Sequence, residues 1–160
     1  MVRDIPQQIL SYVRELASRH KGIREIWLFG SRANNTATET SDWDLLVIAD
    51  REVLESLVND YKEPDFVDLL VVYDRNNFEG PQKRESDGAV KRGSLISWEW
   101  HQVGPEEAEY KATKPVPGSS IHIDVKTLRA IRLYPRQYKN DALSQAEADG
   151  APANAWFGKP

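Results

Sequence analysis

Between Asp42 and Asp50 the chain reads DWDLLVIAD, and between Asp65 and Asp74 it reads DFVDLLVVYD. Side chains on a strand alternate between the two faces of a sheet, so a strand with one wet face alternates polar with apolar residues. Neither stretch alternates once it is under way: Leu45 to Ala49 and Leu69 to Val72 contain no polar residue. Such runs are interior strands, covered on both faces, and a fold that contains them must be layered.

The flanking segments supply the cover. Asp4 to His20 has Ile5, Ile9, Tyr12, Val13, Leu16 and Ala17 at helical spacing, with Asp4 as N-cap, Pro6 in the first turn and Lys21-Gly22 as the stop. Ile23 to Gly30, IREIWLFG, is short and rich in strand formers, and Gly-Ser closes it. Arg32 to Ser41 is a polar loop. Arg51 to Tyr61 fits a short helix with Leu54, Leu57 and Val58 on one face and Asp50 as cap. Asn76 to Arg92 is weakly patterned and expected to be helical in part, ending at Gly93. Ser94 to Val103, SLISWEWHQV, reads as a fourth strand. The expected fold is therefore mixed α+β, a sheet of about four to five strands covered by helices.

Composition shifts after about Gly104, which divides the chain into a domain over 1–103 and a C-terminal extension over 104–160. Lys111 to Ser120 reads as a linker, and Ile121 to Tyr138 as a short strand followed by a helix from about Lys126, broken near Pro135. Ser144 to Pro160 is small and polar and expected to be disordered alone, with Trp156 and Phe157 as two large apolar exceptions. The chain of 160 residues has a net charge of −4, so the molecule as a whole exerts no strong pull on nucleic acid. It has no cysteine, which excludes disulfides, thiolate metal sites and a cysteine nucleophile. No window approaches a membrane span, and MVRDIPQQIL lacks the apolar core of a signal peptide, so a cytoplasmic setting is expected.

The chemistry concentrates where the strands begin and end. Asp42 and Asp44 are one residue apart, so on a strand both carboxylates face the same way and Trp43 faces the other. Asp68 opens the apolar core of the third strand and reaches the same patch if the two strands are neighbours. Three carboxylates on one face are a hard-oxygen site of the kind Mg²⁺ takes, completed by water and phosphate oxygens. Gly30-Ser31 ends the preceding strand. A glycine there lets backbone approach an anion closely, the Ser31 hydroxyl and exposed N–H groups can hold a phosphate oxygen, and Arg32 adds a fixed positive charge. The three histidines, His20, His101 and His122, are scattered. Lys83, Arg84, Lys91 and Arg92 read as a solvated basic face, and Trp98 and Trp100 as packing residues.

GSRANNTATETSDWD fits Gly-Ser, ten residues, Asp-x-Asp. Together with the flanking LFGSRA and SDWDLLV, it resembles the nucleotidyltransferase superfamily that includes DNA polymerase beta. It is most similar to the minimal nucleotidyltransferases, small domains often encoded as antitoxins beside a HEPN-domain toxin. The resemblance covers roughly Ile5 to Trp100. It implies that Gly30, Ser31 and Arg32 contact a nucleoside triphosphate, expected to be ATP, and that Asp42, Asp44 and Asp68 bind two Mg²⁺ and carry catalysis. The implied reaction transfers NMP to a hydroxyl, with a tyrosine of a HEPN-type toxin as acceptor. Where the family pattern commonly continues with a second arginine and a glycine, this chain has Asn34 and Asn35, which removes a positive charge and some backbone freedom. Three alternatives remain open: a non-catalytic nucleotide- or toxin-binding module of the same fold, a nucleotidyltransferase acting on a small molecule such as an aminoglycoside, and a glycosyltransferase using Asp-x-Asp for a metal–nucleotide-sugar complex.

Overall fold

A computed structural model describes residues 4–83, 88–115 and 123–136, with the side chains of 113–115 and 123–124 set aside. Arg84, His122, Trp156, Phe157 and the stretch expected to be disordered lie outside the described residues. In chain order the elements are α1 (Gln7–Arg19), β1 (Ile23–Phe29), α2 (Gly30–Ala33), β2 (Trp43–Ala49), α3 (Arg51–Asp60), β3 (Val67–Val72), β4 (Asn77–Glu79), β5 (Arg92–Ser94), β6 (His101–Gln102), β7 (Glu107–Pro115) and β8 (Ile123–Tyr134).

The strands form one eight-stranded sheet in the order β5-β4-β3-β2-β1-β8-β7-β6. Only β2 and β3 run parallel, joined through α3; the other neighbours are antiparallel. The two apolar runs are adjacent interior strands, and Leu45, Leu46, Val47, Leu69 and Val71 are fully buried. Full burial of each such side chain contributes roughly 1.5–3 kcal/mol.

The two faces of the sheet are covered differently. α1 and α3 lie on one, where Ile9, Val13, Leu16, Leu54 and Leu57 meet Ile26, Leu28, Leu45, Val47, Leu69 and Val71. The other face is covered by aromatic rings: Trp27, Leu46, Leu70 and Phe78 are packed by Phe29, Trp98, Trp100 and Tyr110. Trp98 and Trp100 come from the turn that follows β5, pinned by the Lys111 N–H donating to the Trp98 carbonyl at 2.7 Å.

Several local expectations give way to pairing across the sheet. The stretch 76–92 forms no helix among its described residues. Asp74 accepts the Asn76 and Asn77 N–H groups at 3.1 and 2.7 Å, and the chain turns straight into β4, which pairs with β3 and β5. Ser94 to Val103 is not one strand. The Ser94 hydroxyl accepts the Ile96 N–H at 3.1 Å, Glu99 takes φ 51°, and only β5 and the two-residue β6 remain extended. The helix expected from Lys126 is instead the larger part of a twelve-residue strand, β8. Tertiary pairing overrides its weak helical period, because β8 is held by β1 on one side and β7 on the other. Lys111 to Pro115, read as linker, ends β7, and the sheet runs across Gly104.

The helix ends also differ from expectation. Pro6, not Asp4, is the N-cap of α1, and its C-cap is His20, whose N–H bonds the Leu16 carbonyl. Asp50 does sit at the N-cap of α3, but makes no side-chain cap bond; its carboxylate pairs with Arg24.

Candidate functional site

The parallel register sets the geometry of the acids. Asp44 on β2 lies directly opposite Asp68 on β3 and, across the other edge, opposite Phe29 at the end of β1. Because Leu46 and Leu70 belong to the aromatic face, so do Asp44 and Asp68 two residues before them. Trp43 points the other way and packs against the helical side. Asp42 is exposed, just ahead of β2, and borders the same cavity as Asp68.

Gly30 is where β1 turns into α2. Its φ is +72°, and a Cβ built there would fall on Asp44 Oδ2, with Asp44 Cγ only 3.0 Å away. Glycine is therefore required twice, for a left-handed backbone and for the approach of a carboxylate to the main chain. Its N–H donates to the Tyr110 hydroxyl at 2.8 Å. Ser31 is half-buried beside it, and its carbonyl accepts the Asn34 and Thr36 N–H groups.

Asn34 and Asn35 each have a structural role in the turn. Asn34 donates to the Gly30 and Arg129 carbonyls at 2.8 and 3.0 Å and accepts the Arg129 N–H at 2.8 Å, which ties α2 to β8. Asn35 takes φ 58°, a conformation that asparagine tolerates better than most residues and that a glycine would otherwise supply. Arg32 does not extend toward the acids. Its guanidinium lies 4.8 Å from the Trp43 ring centre and donates to the Ser41 carbonyl at 2.8 Å and the Glu39 carbonyl at 3.3 Å, closing the loop that leads to Asp42.

The electrostatics are those of crowded acids. Burial first, then the neighbouring Asp68 and Asp42 carboxylates, push the Asp44 carboxyl up to about 6, with Lys91 opposing. Glu63, in the loop before β3, is pushed up to about 7 by burial and by Asp68, partly countered by the Leu69 N–H and Lys91. Lys91 forms an ion pair with Asp68 and so supplies a positive charge where the acids gather.

Glu63 and Tyr110 had no legible role in the sequence, and Lys91, expected on a solvated basic face, instead pairs with Asp68. Glu63 sits in KEPDF with no motif around it, Lys91 reaches the site from just ahead of β5, and Tyr110 from β7, both through pairing at long range. Asp42, Glu63, Asp68, Lys62, Lys83 and Lys91 all line one open cavity of about 540 Å³. A second cavity, of about 610 Å³, is bordered by Gly30, Phe29, Trp98 and Tyr110.

The donor chemistry of Asp44 and Asp68, hard oxygens opposite each other on adjacent strands, suits a divalent cation such as Mg²⁺. Among the described residues, however, no group of three or more His, Cys, Asp or Glu side chains is arranged to hold a metal ion. No helix among them is long and apolar enough to cross a membrane.

None of the curated proteins and none of the solved structures matches the chain. A family model, the nucleotidyltransferase domain, matches residues 8–143, a span that takes in α1, the Gly30-Ser31 turn, all three aspartates and the whole eight-stranded sheet. The chain is therefore a member of the nucleotidyltransferase domain family, of the DNA polymerase beta-like superfamily.

Proposed function

We propose that the protein is a Mg²⁺-dependent nucleotidyltransferase that transfers NMP, from ATP as the expected donor, to a hydroxyl. The observation that carries this reading is the contact of Gly30 backbone with Asp44, which itself faces Asp68 across the β2–β3 pair. That arrangement puts the turn suited to phosphate and the acids suited to metal within one site. Asp42, Asp44 and Asp68 would hold the ions. Bound Mg²⁺ supplies charge neutralisation for the triphosphate and lowers the pKa of the attacking hydroxyl.

The chain's own residues do the rest. Gly30 and the Ser31 hydroxyl orient the phosphates, while Arg32 braces the loop leading to Asp42 through Trp43. The acceptor oxygen bonds to the α-phosphorus, its proton passes to Asp68, the α–β bridging P–O bond breaks and pyrophosphate leaves. The acceptor fits the cavity that Asp68 shares with Glu63 and Lys91. A tyrosine of a HEPN-type toxin, with this protein as its antitoxin in the cytoplasm, is the acceptor we favour on the likeness of the Gly-Ser and Asp-x-Asp segments to minimal nucleotidyltransferases. An aminoglycoside hydroxyl is the small-molecule alternative. We assign catalysis to residues within 1–103 and leave 104–160 as an extension whose β7 and β8 buttress the site.

A non-catalytic binding module is favoured by a different observation: the Gly30 N–H, the Arg32 guanidinium and the Asp68 carboxylate all have partners within the protein. The two readings separate in one experiment. The protein is incubated with Mg²⁺, each labelled NTP and a set of acceptor proteins and aminoglycosides. Transfer that is lost in Asp42→Ala and Asp44→Ala supports the enzyme. Partner binding that survives both substitutions without any transfer refutes it.

A further inference from the structure

The cavity of about 610 Å³ beside Gly30 has no part in the reaction just described, yet it lies on the face of the sheet that carries Asp44. Its volume is within the ~300–1,000 Å³ typical of small-molecule sites. Its walls are rings. Trp98 lies 5.4 Å from Phe29 and 5.3 Å from Tyr110, centre to centre, and Trp98 and Tyr110 are inclined by only 31°. Leu128 and Ala112 complete the apolar lining. One edge of the cavity is Gly30 itself, so a ligand whose phosphates lie at the Gly30-Ser31 turn has its remaining part directed either into this cavity or into the charged one beyond Asp68. The charged cavity offers carboxylates and lysines to a polar acceptor; only the ring-lined one offers flat π surfaces.

We propose that the Phe29–Trp98–Tyr110 cavity is the nucleobase site, and that it selects by stacking instead of by reading base edges. The inference rests on the nucleotidyl-transfer reading above. Its second half follows from the hydroxyl and ammonium groups of the lining, which have partners within the protein. The Ser97 hydroxyl donates to the Ser94 carbonyl at 2.8 Å, the Tyr110 hydroxyl accepts the Gly30 N–H at 2.8 Å, and Lys111 Nζ pairs with Glu99 at 3.4 Å. A pocket of rings whose hydroxyl and ammonium groups are already engaged holds the larger purine ring system better than a pyrimidine and distinguishes adenine from guanine weakly, because every base presents a π face.

The test measures binding of MgATP, MgGTP, MgCTP, MgUTP and Mg-tripolyphosphate to the full chain by calorimetry, in wild type, Trp98→Ala and Ala112→Phe. The second variant fills the cavity while leaving its rings in place, which covers the case in which loss of Trp98 unfolds the chain. The expected result is ATP and GTP within about threefold of each other and both tighter than CTP and UTP. Either variant should weaken ATP by about 5- to 150-fold, the range one base–aromatic stack provides, with tripolyphosphate unchanged. The inference is overturned if both variants leave ATP binding intact, if ATP and tripolyphosphate weaken together, or if wild type separates ATP from GTP by a hundredfold. Those outcomes leave phosphate binding and transfer standing. Wild type that binds neither nucleotide nor tripolyphosphate overturns the transfer reading itself, and the base site with it.

Discussion

Replacing Gly30 with alanine should damage the protein in two separable ways. A φ of +72° places any L-residue in the left-handed region, a cost of about 1–2 kcal/mol. The added Cβ also falls on Asp44 Oδ2, with Asp44 Cγ at 3.0 Å and Asp44 Cβ at 3.2 Å. Relieving that overlap forces the carboxylate to move, and overpacking of this kind typically costs a further ~1–3 kcal/mol. Gly30→Ala should therefore lose about 2–5 kcal/mol in all. Only the second part depends on the Asp44 carboxylate. In an Asp44→Ala background the penalty should fall to the backbone part plus the residual contact with Cβ, about 1–2 kcal/mol. The interaction energy between the two sites is then about 1–3 kcal/mol. Urea unfolding of the wild type, both single variants and the double variant, followed by tryptophan fluorescence, gives the four free energies. Transfer activity should drop by about two orders of magnitude in Gly30→Ala, the loss expected when a catalytic group is displaced by roughly 1 Å. Stability changes that add to within about 0.5 kcal/mol would show that Gly30 and Asp44 do not contend for the same space, and would refute the geometric argument for this site.

Two further outcomes follow from the acids and from the asparagine clamp. The folded chain holds the Asp44 proton up to about pH 6, whereas the unfolded chain releases it near 3.8, so stability falls as pH rises through that window and stays low above it. A shift of about two units corresponds to at most ~3 kcal/mol, and solvent access to this half-buried group reduces that to about 1–2 kcal/mol. In metal-free buffer, Asp44→Asn should accordingly be more stable than wild type at pH 7.5, with the difference shrinking toward pH 5. Thermal melts at the two pH values check it, and a variant less stable than wild type at pH 7.5 contradicts the reading. Asn34→Ala removes one donated bond within α2, to the Gly30 carbonyl, and two bonds to Arg129 on β8, one donated and one accepted. It should cost about 2–3 kcal/mol in chemical denaturation, at roughly 1 kcal/mol for each bond; a loss under 0.5 kcal/mol would mean that the α2–β8 tie does not hold the turn.

The parts of the site that were legible in the sequence are those governed by local rules. Strand alternation is a property of extended backbone, so the opposed facing of Trp43 and Asp44 could be read directly, and the fully apolar runs after Asp44 and Asp68 announced interior strands, whose adjacency the pairing supplied. Gly30 could be read as a place of close approach. What it approaches could not, because the contact with Asp44 depends on how β1 and β2 pair. Asn34 and Asn35 looked like a weakened loop when compared with a pattern; in three dimensions one ties the loop to β8 and the other supplies its left-handed turn. Arg32 looked like a phosphate ligand because its charge is visible in the sequence, whereas its partners, Trp43 and two loop carbonyls, are not.

The largest departures lie beyond Asp74, where the residues have weak intrinsic preferences and long-range pairing decides. Val125 to Tyr134 carries a helical period and a strand period at once, and the open edges of β1 and β7 select the strand. The sequence by itself determined the interior strands, the amphipathic helices α1 and α3 and the spacing that marks the nucleotidyltransferase family. Only the tertiary structure decided that β7 and β8 complete the sheet, that Tyr110 and Lys91 reach the Gly30 turn and Asp68, and that the face bearing the acids is walled by aromatic rings. Contacts between residues far apart in the chain depend on pairing free energies summed over the whole sheet, and no short stretch of sequence contains that sum.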